Sequence, residues 1–408
     1  MLNSPWARAA AGANTFDADS GTVLPTVYER TNAAAASAGA VNLGQGFPDR
    51  DGPQWLRQAA AEAITEPDVG PTNQYSPGIG LPVLRQAVAD HQARRYGLTL
   101  DPDTQVMVTT GATEGIAACI LAFASPGSEV LTYEPWYDSY GALAALAGAQ
   151  LVTVPLRAPV FRPEVEALIS RISERTSMIL LNTPHNPTGS VFTAEELERI
   201  VAAAAAHDVV VMCDEVYEHL VFGESAHTPV LAVPGAEKVA LGISSAGKAF
   251  SLTGWKVGWV TGSAELVNRV RGVKQFLTFT SGPAYQWAVA QGLDDDRGFF
   301  DENRAELESH RDLLVSGLAA AGLEPTVPQA GYFVLADISG VTDLPADEFC
   351  LRLAARAGVG AIPVSALTGQ HEASAELDRL VRFAFCKDRS TLEQAIRRLS
   401  EGIGRAAA

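Results

Sequence analysis

Val239-Ala240-Leu241-Gly242-Ile243-Ser244-Ser245-Ala246-Gly247-Lys248 joins an unbroken apolar run to a turn of small residues that ends on a lysine. An unbroken run, unlike an alternating one, reads as a strand buried on both faces. Such strands belong to parallel sheets, and the pattern recurs along the chain. Before it come Val106 to Thr109, Glu129 to Tyr133, Leu151 to Val154, Met178 to Asn182 and Val209 to Cys213, and after it Val257 to Thr261. Helical stretches fall between them at Gly115 to Ala124, from near Tyr137, at Pro163 to Ile172 and at Ala194 to His207. The expected fold class is α/β, a large unit whose mostly parallel, seven-stranded sheet is covered by helices.

Outward from this core the pattern changes. Helices at Ala284 to Leu293 and Phe299 to Ala320 lead into strand Tyr332 to Ala336, helix Ala346 to Ala357, short strand Val359 to Ile362, strand Leu380 to Phe385 and helix Leu392 to Ile403. That is a second, smaller α+β unit. At the other end, a short helix between Leu24 and Gly39 enters the Gly-rich loop Asn42-Leu43-Gly44-Gln45-Gly46-Phe47-Pro48-Asp49, which suits close backbone approach to a ligand. Helices at Gln54 to Ile64 and Leu81 to Tyr96 flank the polar loop around Tyr75. The boundaries read as an extension at 1–21, a segment joining the small unit at 22–53, a large domain at 54–297 and a small domain at 298–408. The extension has no clear periodicity and is expected to be loosely attached.

Composition narrows the classes. The 408 residues are 47% hydrophobic and 19% charged, ordinary globular usage. A net charge of −17 argues against nucleic acid or an anionic membrane as partner. Cys119, Cys213, Cys350 and Cys386 sit in apolar settings without CxxC spacing, which reads as free thiols in a reducing compartment and not as a zinc site. No run of about 18 apolar residues occurs. The N-terminus has no apolar core of a secretory signal, so the expected place is the cytoplasm.

The chemistry-bearing residues follow the strands. A lysine among small and apolar residues, as Lys248 is, moves toward a neutral amine that can condense with a carbonyl, although one lysine alone is as well read as a solvent-facing residue. Ser245 and Lys256 flank it and can bind an anion. Gly111-Ala112-Thr113 opens a helix and offers free N–H groups to a phosphate, as many strand-to-helix turns do. Asp214 ends a strand three residues before Tyr217, a place that also suits a helix cap. Asn186 lies in a loop shaped by Pro184 and Pro187. Arg382 sits in an otherwise apolar strand, where a guanidinium needs a carboxylate, from the protein or from a ligand. One chemistry uses all six features. Pyridoxal 5′-phosphate needs a lysine for its aldehyde, donors for its phosphate, an acid for its ring nitrogen and donors for its phenolic oxygen, and an amino-acid substrate needs an arginine.

Asn186-Pro187-Thr188-Gly189, Asp214-Glu215-Val216-Tyr217, the Ser-Ser-x-x-Lys spacing at 244–248 and Gly254-Trp255-Lys256-Val257-Gly258 come in a specific order. With them the chain resembles the fold type I, class I/II aminotransferases from about Leu24 to Ile403. Asn42 to Asp49 and Ala361-Ile362-Pro363-Val364-Ser365 are close to the kynurenine/glutamine/methionine aminotransferase branch. Glu134 to Tyr140 and Asp214 to Val221 look like the actinobacterial N-succinyldiaminopimelate aminotransferases of that branch.

The resemblance implies that Lys248 is the Schiff-base lysine and proton shuttle. It implies that Ser245, Lys256, Gly111, Ala112 and Thr113 hold the phosphate, Asp214 the ring nitrogen, and Asn186 with Tyr217 the phenolic oxygen. Tyr137 would stack on the ring, and Gly46, Asn186 and Arg382 would bind the substrate carboxylate. It further implies a homodimer in which Tyr75 reaches the partner subunit's cofactor. Ping-pong transamination with 2-oxoglutarate is the expected reaction, and β-elimination from cysteine conjugates is the nearest rival. Two departures from the family pattern are Lys256, where an arginine also occurs, and His185, where asparagine is common.

Overall fold

The computed structural model describes residues 4–66, 68, 73–369 and 372–408. Helix α1 (Pro5–Gly12) and the small hairpin β1 (Phe16–Asp17) and β2 (Thr22–Val23) precede α2 (Val27–Ser37), β3 (Val41–Asn42), α3 (Gln54–Thr65) and α4 (Pro82–Tyr96). The large sheet is then laid down. Its strands are β4 (Val106–Thr110), β5 (Glu129–Glu134), β6 (Gln150–Pro155), β7 (Thr176–Asn182), β8 (Val210–Asp214), β9 (Ala240–Ser245) and β10 (Val257–Gly262). Helix α5 (Gly111–Phe123) follows β4 without a break, beginning four residues before the helical stretch expected from Gly115, and α6 (Ser139–Ala147) follows β5.

The spatial order is β4-β10-β9-β8-β7-β5-β6. Strands β5 to β9 pair in parallel, and β10 runs against both β4 and β9. The apolar pattern of Val257 to Thr261 had placed this strand in the parallel series. Its direction follows from the connection, because β9 and β10 are joined only by the short helical turns Ala246–Ala249 and Thr253–Trp255. A parallel return needs a crossover of a dozen or more residues, usually a full helix. The reversal has a use, since it puts the start of β10 at the same rim as the carboxyl ends of its neighbours.

A helix that the sequence pattern had passed over, Ala264–Lys274, follows β10 and is capped by Ser263, which accepts from the Leu266 amide. Its buried face is Leu266, Val267 and Val270. The helix Phe299–Ala320 then leads to the second sheet, ordered β11 (Glu324–Pro325), β12 (Phe333–Asp337), β15 (Leu380–Ala384) and β14 (Ile362–Pro363). Between β12 and β14, β13 (Val359–Gly360) pairs in parallel with β3, which ties the segment after α2 to this unit. Among the described residues no helix is long and apolar enough to cross a membrane, and all four cysteines are buried and free.

Residues 4–23 correct the expectation of loose attachment; the first three residues of the extension lie outside the described ones. Helix α1 packs on α6 and buries Ala7 and Ala10. Gly12 and Gly141 meet backbone to backbone, so a Cβ on either would overlap the other's carbonyl oxygen. Arg8 Nε donates to the Ala145 carbonyl and Asn14 Nδ2 to the Thr368 carbonyl. Contact through alanine and glycine leaves no large apolar stripe, and that is why periodicity missed it. Gly141→Ala should cost about 1–3 kcal/mol by overpacking. A lower denaturation midpoint with faster proteolysis of the N-terminal segment is the expected result, and an unchanged midpoint would contradict the contact.

Candidate active site

One cavity of about 360 Å³ opens at the rim of the large sheet where it faces the second unit. The ends of β4, β5, β7, β8 and β9 and the start of β10 all deliver residues to it. Gly46, Gly111, Ala112, Thr113, Tyr137, Asn186, Asp214, Tyr217, Ser245, Lys248, Lys256 and Arg382, every site residue expected from the sequence except Tyr75, line this cavity. Tyr75 stands apart, 86% exposed beside a separate groove with Thr280 and Pro283.

Lys248 lies in the short helix Ala246–Ala249 directly after β9. Its ammonium donates to the Gly46 carbonyl at 3.1 Å and lies 5.6 Å from the Tyr217 ring and 5.2 Å from the Tyr332 ring. The Tyr332 hydroxyl donates to the Lys248 carbonyl and holds the turn. Its side chain lines the cavity, and desolvation there, with the nearby Arg382 and Lys256 charges, lowers its pKa below that of an ordinary lysine.

An anion cup lies beside it. Helix α5 begins at the cavity, and its first amides have no partner within the helix. Lys256, in the left-handed region at φ 52°, places its Nζ beside Gly111. Gly258, next on β10 but one, passes so close to the α5 terminus that a Cβ would come within 2.7 Å of the Ala112 nitrogen. Ser245 caps the following turn by accepting from the Gly247 amide at 3.1 Å.

Asp214 lies at the buried base. Its Oδ2 accepts from the Tyr140 hydroxyl at 2.7 Å and its Oδ1 from the Val216 amide at 3.3 Å. Burial pushes this carboxyl up to about 6, against the opposing pull of those hydrogen bonds and of Lys248. Asn182 braces the strand ends by donating to the Asp214 carbonyl at 2.8 Å and accepting from the Asn186 amide at 2.7 Å.

Arg382, 1% exposed, answers the question the sequence had left open. Among the described residues no carboxylate bridges it. Its Nη2 donates to the Gly44 carbonyl at 3.0 Å and its Nη1 to Asn186 Oδ1 at 3.4 Å, while Nε has no partner. The guanidinium lies 4.0 Å from the Phe333 ring and 5.5 Å from that of Tyr28.

Tyr28, Gln45, Phe47, Val216 and Phe333 also line the cavity and were not singled out in the sequence. Aromatic and apolar positions on α2 and β12 carry no chemical signal of their own. Tyr140 was passed over too, although it lies one helical turn after Tyr137 and its ring meets that ring edge-on at 5.7 Å. His185 is buried and bonded to Thr188 at 2.9 Å, outside the lining, and burial lowers its pKa to about 3. A second buried group, His91, Glu218 and His219, also lies away from the cavity. The two Nε2 atoms are 2.9 Å apart and Glu218 accepts from Ser244 and from Gln92, while His219 Nδ1 is buried without a partner.

The donor set fits pyridoxal phosphate. A buried carboxylate without a bonded cation, an anion cup at a helix start and a lysine confined to the cavity match a cationic ring nitrogen, a phosphate and an aldehyde. Arg382 Nε is buried without a partner, a donor still unspent in a residue that lines the cavity.

Known proteins agree with this reading. The family described as aminotransferase class I and II matches residues 38–399. A probable N-succinyldiaminopimelate aminotransferase of Mycobacterium tuberculosis is 45% identical over 382 residues, covering 92% of this chain and 95% of that one. The methionine aminotransferase of Escherichia coli is 37% identical over 376 residues, with 92% and 95% covered. The solved structure of the M. tuberculosis N-succinyldiaminopimelate aminotransferase superimposes with a TM-score of 0.88 over 92% of this chain and 97% of that one, at 45% identity. The chain therefore belongs to the class I and II aminotransferases, of fold type I, and is a pyridoxal-phosphate-dependent enzyme.

Proposed function

We propose that the protein transfers the amino group of an L-amino acid to 2-oxoglutarate by ping-pong kinetics, with N-succinyl-LL-2,6-diaminopimelate as the first donor to test. The observation that carries the reaction is Lys248, an amine confined to one cavity with Asp214, an anion cup and Arg382. The donor rests on the 45% identical relative. When bound, the cofactor supplies an electron sink for charge developing at the substrate Cα. Every other role falls to the chain.

Lys248 Nζ would hold the cofactor's aldehyde carbon and, as a free amine, would carry the proton from the substrate Cα to that carbon. Asp214 would keep the ring nitrogen protonated, and Asn186 and Tyr217 would donate to the phenolic oxygen. Ser245, Lys256 and the amides at 111–113 would take the phosphate, and Tyr137 would cover the ring. Arg382, Asn186 and the Gly46 amide orient the α-carboxylate so that the Cα hydrogen faces Lys248. Arg382→Lys keeps a charge but loses the fork. It should raise KM for the amino donor about 10- to 100-fold, the worth of one charge-assisted hydrogen bond, with a smaller change in kcat. An unchanged KM would remove Arg382 from substrate binding.

The wall favours a second reading. Tyr28, Phe47, Ile116, Val216 and Phe333 are aromatic or apolar, and among the described lining residues the cations are Lys248, Lys256 and Arg382, each with a role above. Distal carboxylates of a succinylated donor have no further cation here, whereas kynurenine, methionine or another apolar donor meets a matching surface. A panel with 2-oxoglutarate and the succinylated compound, methionine, glutamine and kynurenine decides between them. Release of pyruvate and ammonia from a cysteine conjugate without 2-oxoglutarate would instead identify a β-lyase.

The same reading includes a homodimer in the cytoplasm, with the chain divided into a large domain at 54–297 and a small one at 298–408 joined by 22–53. Tyr75 at 86% and Phe279 at 46% exposure meet edge-on at 5.8 Å on the large unit, and Phe276, three residues before Phe279, is 83% exposed, apolar surface that a partner subunit would cover. Sedimentation showing a monomer at micromolar concentration would overturn the dimer and, with it, Tyr75 as a contributor to the partner subunit's site.

A further inference from the structure

We propose that Tyr140 is a positioning residue for Asp214, fixing the rotation of its carboxylate at the cavity base, and that helix α1 backs the turn which carries it. The proposal rests on the reading that Asp214 faces the cofactor's ring nitrogen.

A carboxylate on a single bond turns easily, and a hydrogen bond to each oxygen stops it. Here the Val216 amide takes Oδ1 and the Tyr140 hydroxyl takes Oδ2 at 2.7 Å. The amide belongs to Asp214's own turn and follows any movement of it. The Tyr140 hydroxyl is the one side-chain donor to this carboxylate among the described residues, and it comes from a different element.

Tyr140 is itself held. It is 1% exposed, its ring meets Tyr137 edge-on, and its hydroxyl has no other acceptor among the described residues. The next residue, Gly141, lies against Gly12 of α1 with no room for a Cβ, so the first turn of α6 cannot draw back from the sheet. The segment 4–23 that makes this contact lies wholly outside the part of the chain that the family matches.

A donated hydrogen bond also favours the ionised carboxylate. Other titratable groups around Asp214 are Tyr137 on the α6 side, Cys213, Glu215 and Tyr217 on its own strand and turn, and Lys248 across the cavity. Of these only Lys248 acts with Tyr140 to keep the charge on Asp214.

The test compares wild type, Tyr140→Phe and Asp214→Asn as full-length proteins. Three quantities are measured: the dissociation constant of pyridoxal phosphate from the stripped enzyme, the absorbance of the bound cofactor against pH, and the melting temperature. Tyr140→Phe should weaken cofactor binding on the order of tenfold and move the absorbance titration to higher pH, leaving KM for the amino donor unchanged. A loss of melting temperature alone, with the dissociation constant and titration as in wild type, overturns the proposal. If Asp214→Asn also leaves both unchanged, it is the reading of Asp214 that fails.

Should Tyr140→Phe not fold, 3-fluorotyrosine placed at position 140 keeps shape and donor while making the phenol more acidic. The stronger donation should move the titration to lower pH, the opposite direction from the phenylalanine variant, and an unmoved midpoint would count against the proposal.

Discussion

Lys248→Ala should take up pyridoxal phosphate yet lose turnover by at least about 10²- to 10⁴-fold, the usual contribution of a positioned proton-transfer group. The loss should exceed that range, because in the proposed reaction the same nitrogen would serve as covalent anchor and as proton carrier. Removing it cannot be offset by Lys256, whose ammonium lies against Gly111 at the anion cup. The rest of the cavity survives the change, since Lys248 Nζ makes one hydrogen bond, to the Gly46 carbonyl. Borohydride separates attachment from catalysis: it should add the cofactor's mass to the wild-type chain and none to the variant. A small exogenous amine should restore part of the turnover. Turnover within tenfold of wild type would remove Lys248 from the mechanism.

Asp214→Asn should cost about 10²- to 10³-fold in kcat, the scale for losing one preorganised charge partner. Its stability effect runs the other way. The buried carboxyl titrates near 6 in the empty protein against a usual 3.8. A group whose folded value is raised favours folding while protonated, below its ordinary pKa, and that contribution is lost as pH rises through the folded value. Ionised Asp214 thus costs the cofactor-free protein about 3 kcal/mol at neutral pH. A neutral amide avoids this cost. Cofactor-free Asp214→Asn should therefore melt at or above wild type at pH 7.5, while the cofactor-loaded wild type should melt higher than the loaded variant. A cofactor-free variant markedly less stable than wild type would contradict the burial argument.

Burial and chemistry decided what the sequence could disclose. Seven continuous apolar runs announced the sheet, and the residues that end them, Asp214, Asn182 before Asn186, and Ser245 before Lys248, fell at one rim as strand ends must. Strand direction was not legible. The pattern of Val257 to Gly262 is the same read either way, and only the shortness of the link before it reveals the reversal. Ala264–Lys274 was missed because Arg269, Arg271 and Gly272 interrupt the stripe of Leu266, Val267, Val270 and Val273, though Ser263 before Glu265 was a usable start signal. Helix α1 packs through Ala7, Ala10 and Gly12, where size and not hydrophobicity is the message.

Within the site, charged and nucleophilic residues stood out because they are costly in apolar surroundings. Tyr28 and Phe333, which flank Arg382, did not, because an aromatic ring in a helix or strand is ordinary core material until a cavity is found beside it. Arg382 itself was legible as a guanidinium in need of an anion. That its partners are a carbonyl and an amide, with one edge free, required three segments far apart in sequence to meet.

The reversed strand β10 sets a limit on how this enzyme can be remodelled. Ser245 lies opposite Gly258 in the β9–β10 register, and Lys256 lies two residues earlier, immediately before the returning strand begins. Side chains on a strand change faces with every residue, so one residue inserted or deleted between Ala249 and Trp255 would shift that pairing and carry Ser245 and Lys256 out of step. Loops exchanged with relatives at this point must match in length as well as in composition. A library that varies length here should return proteins with the sheet intact and the proposed anion cup lost.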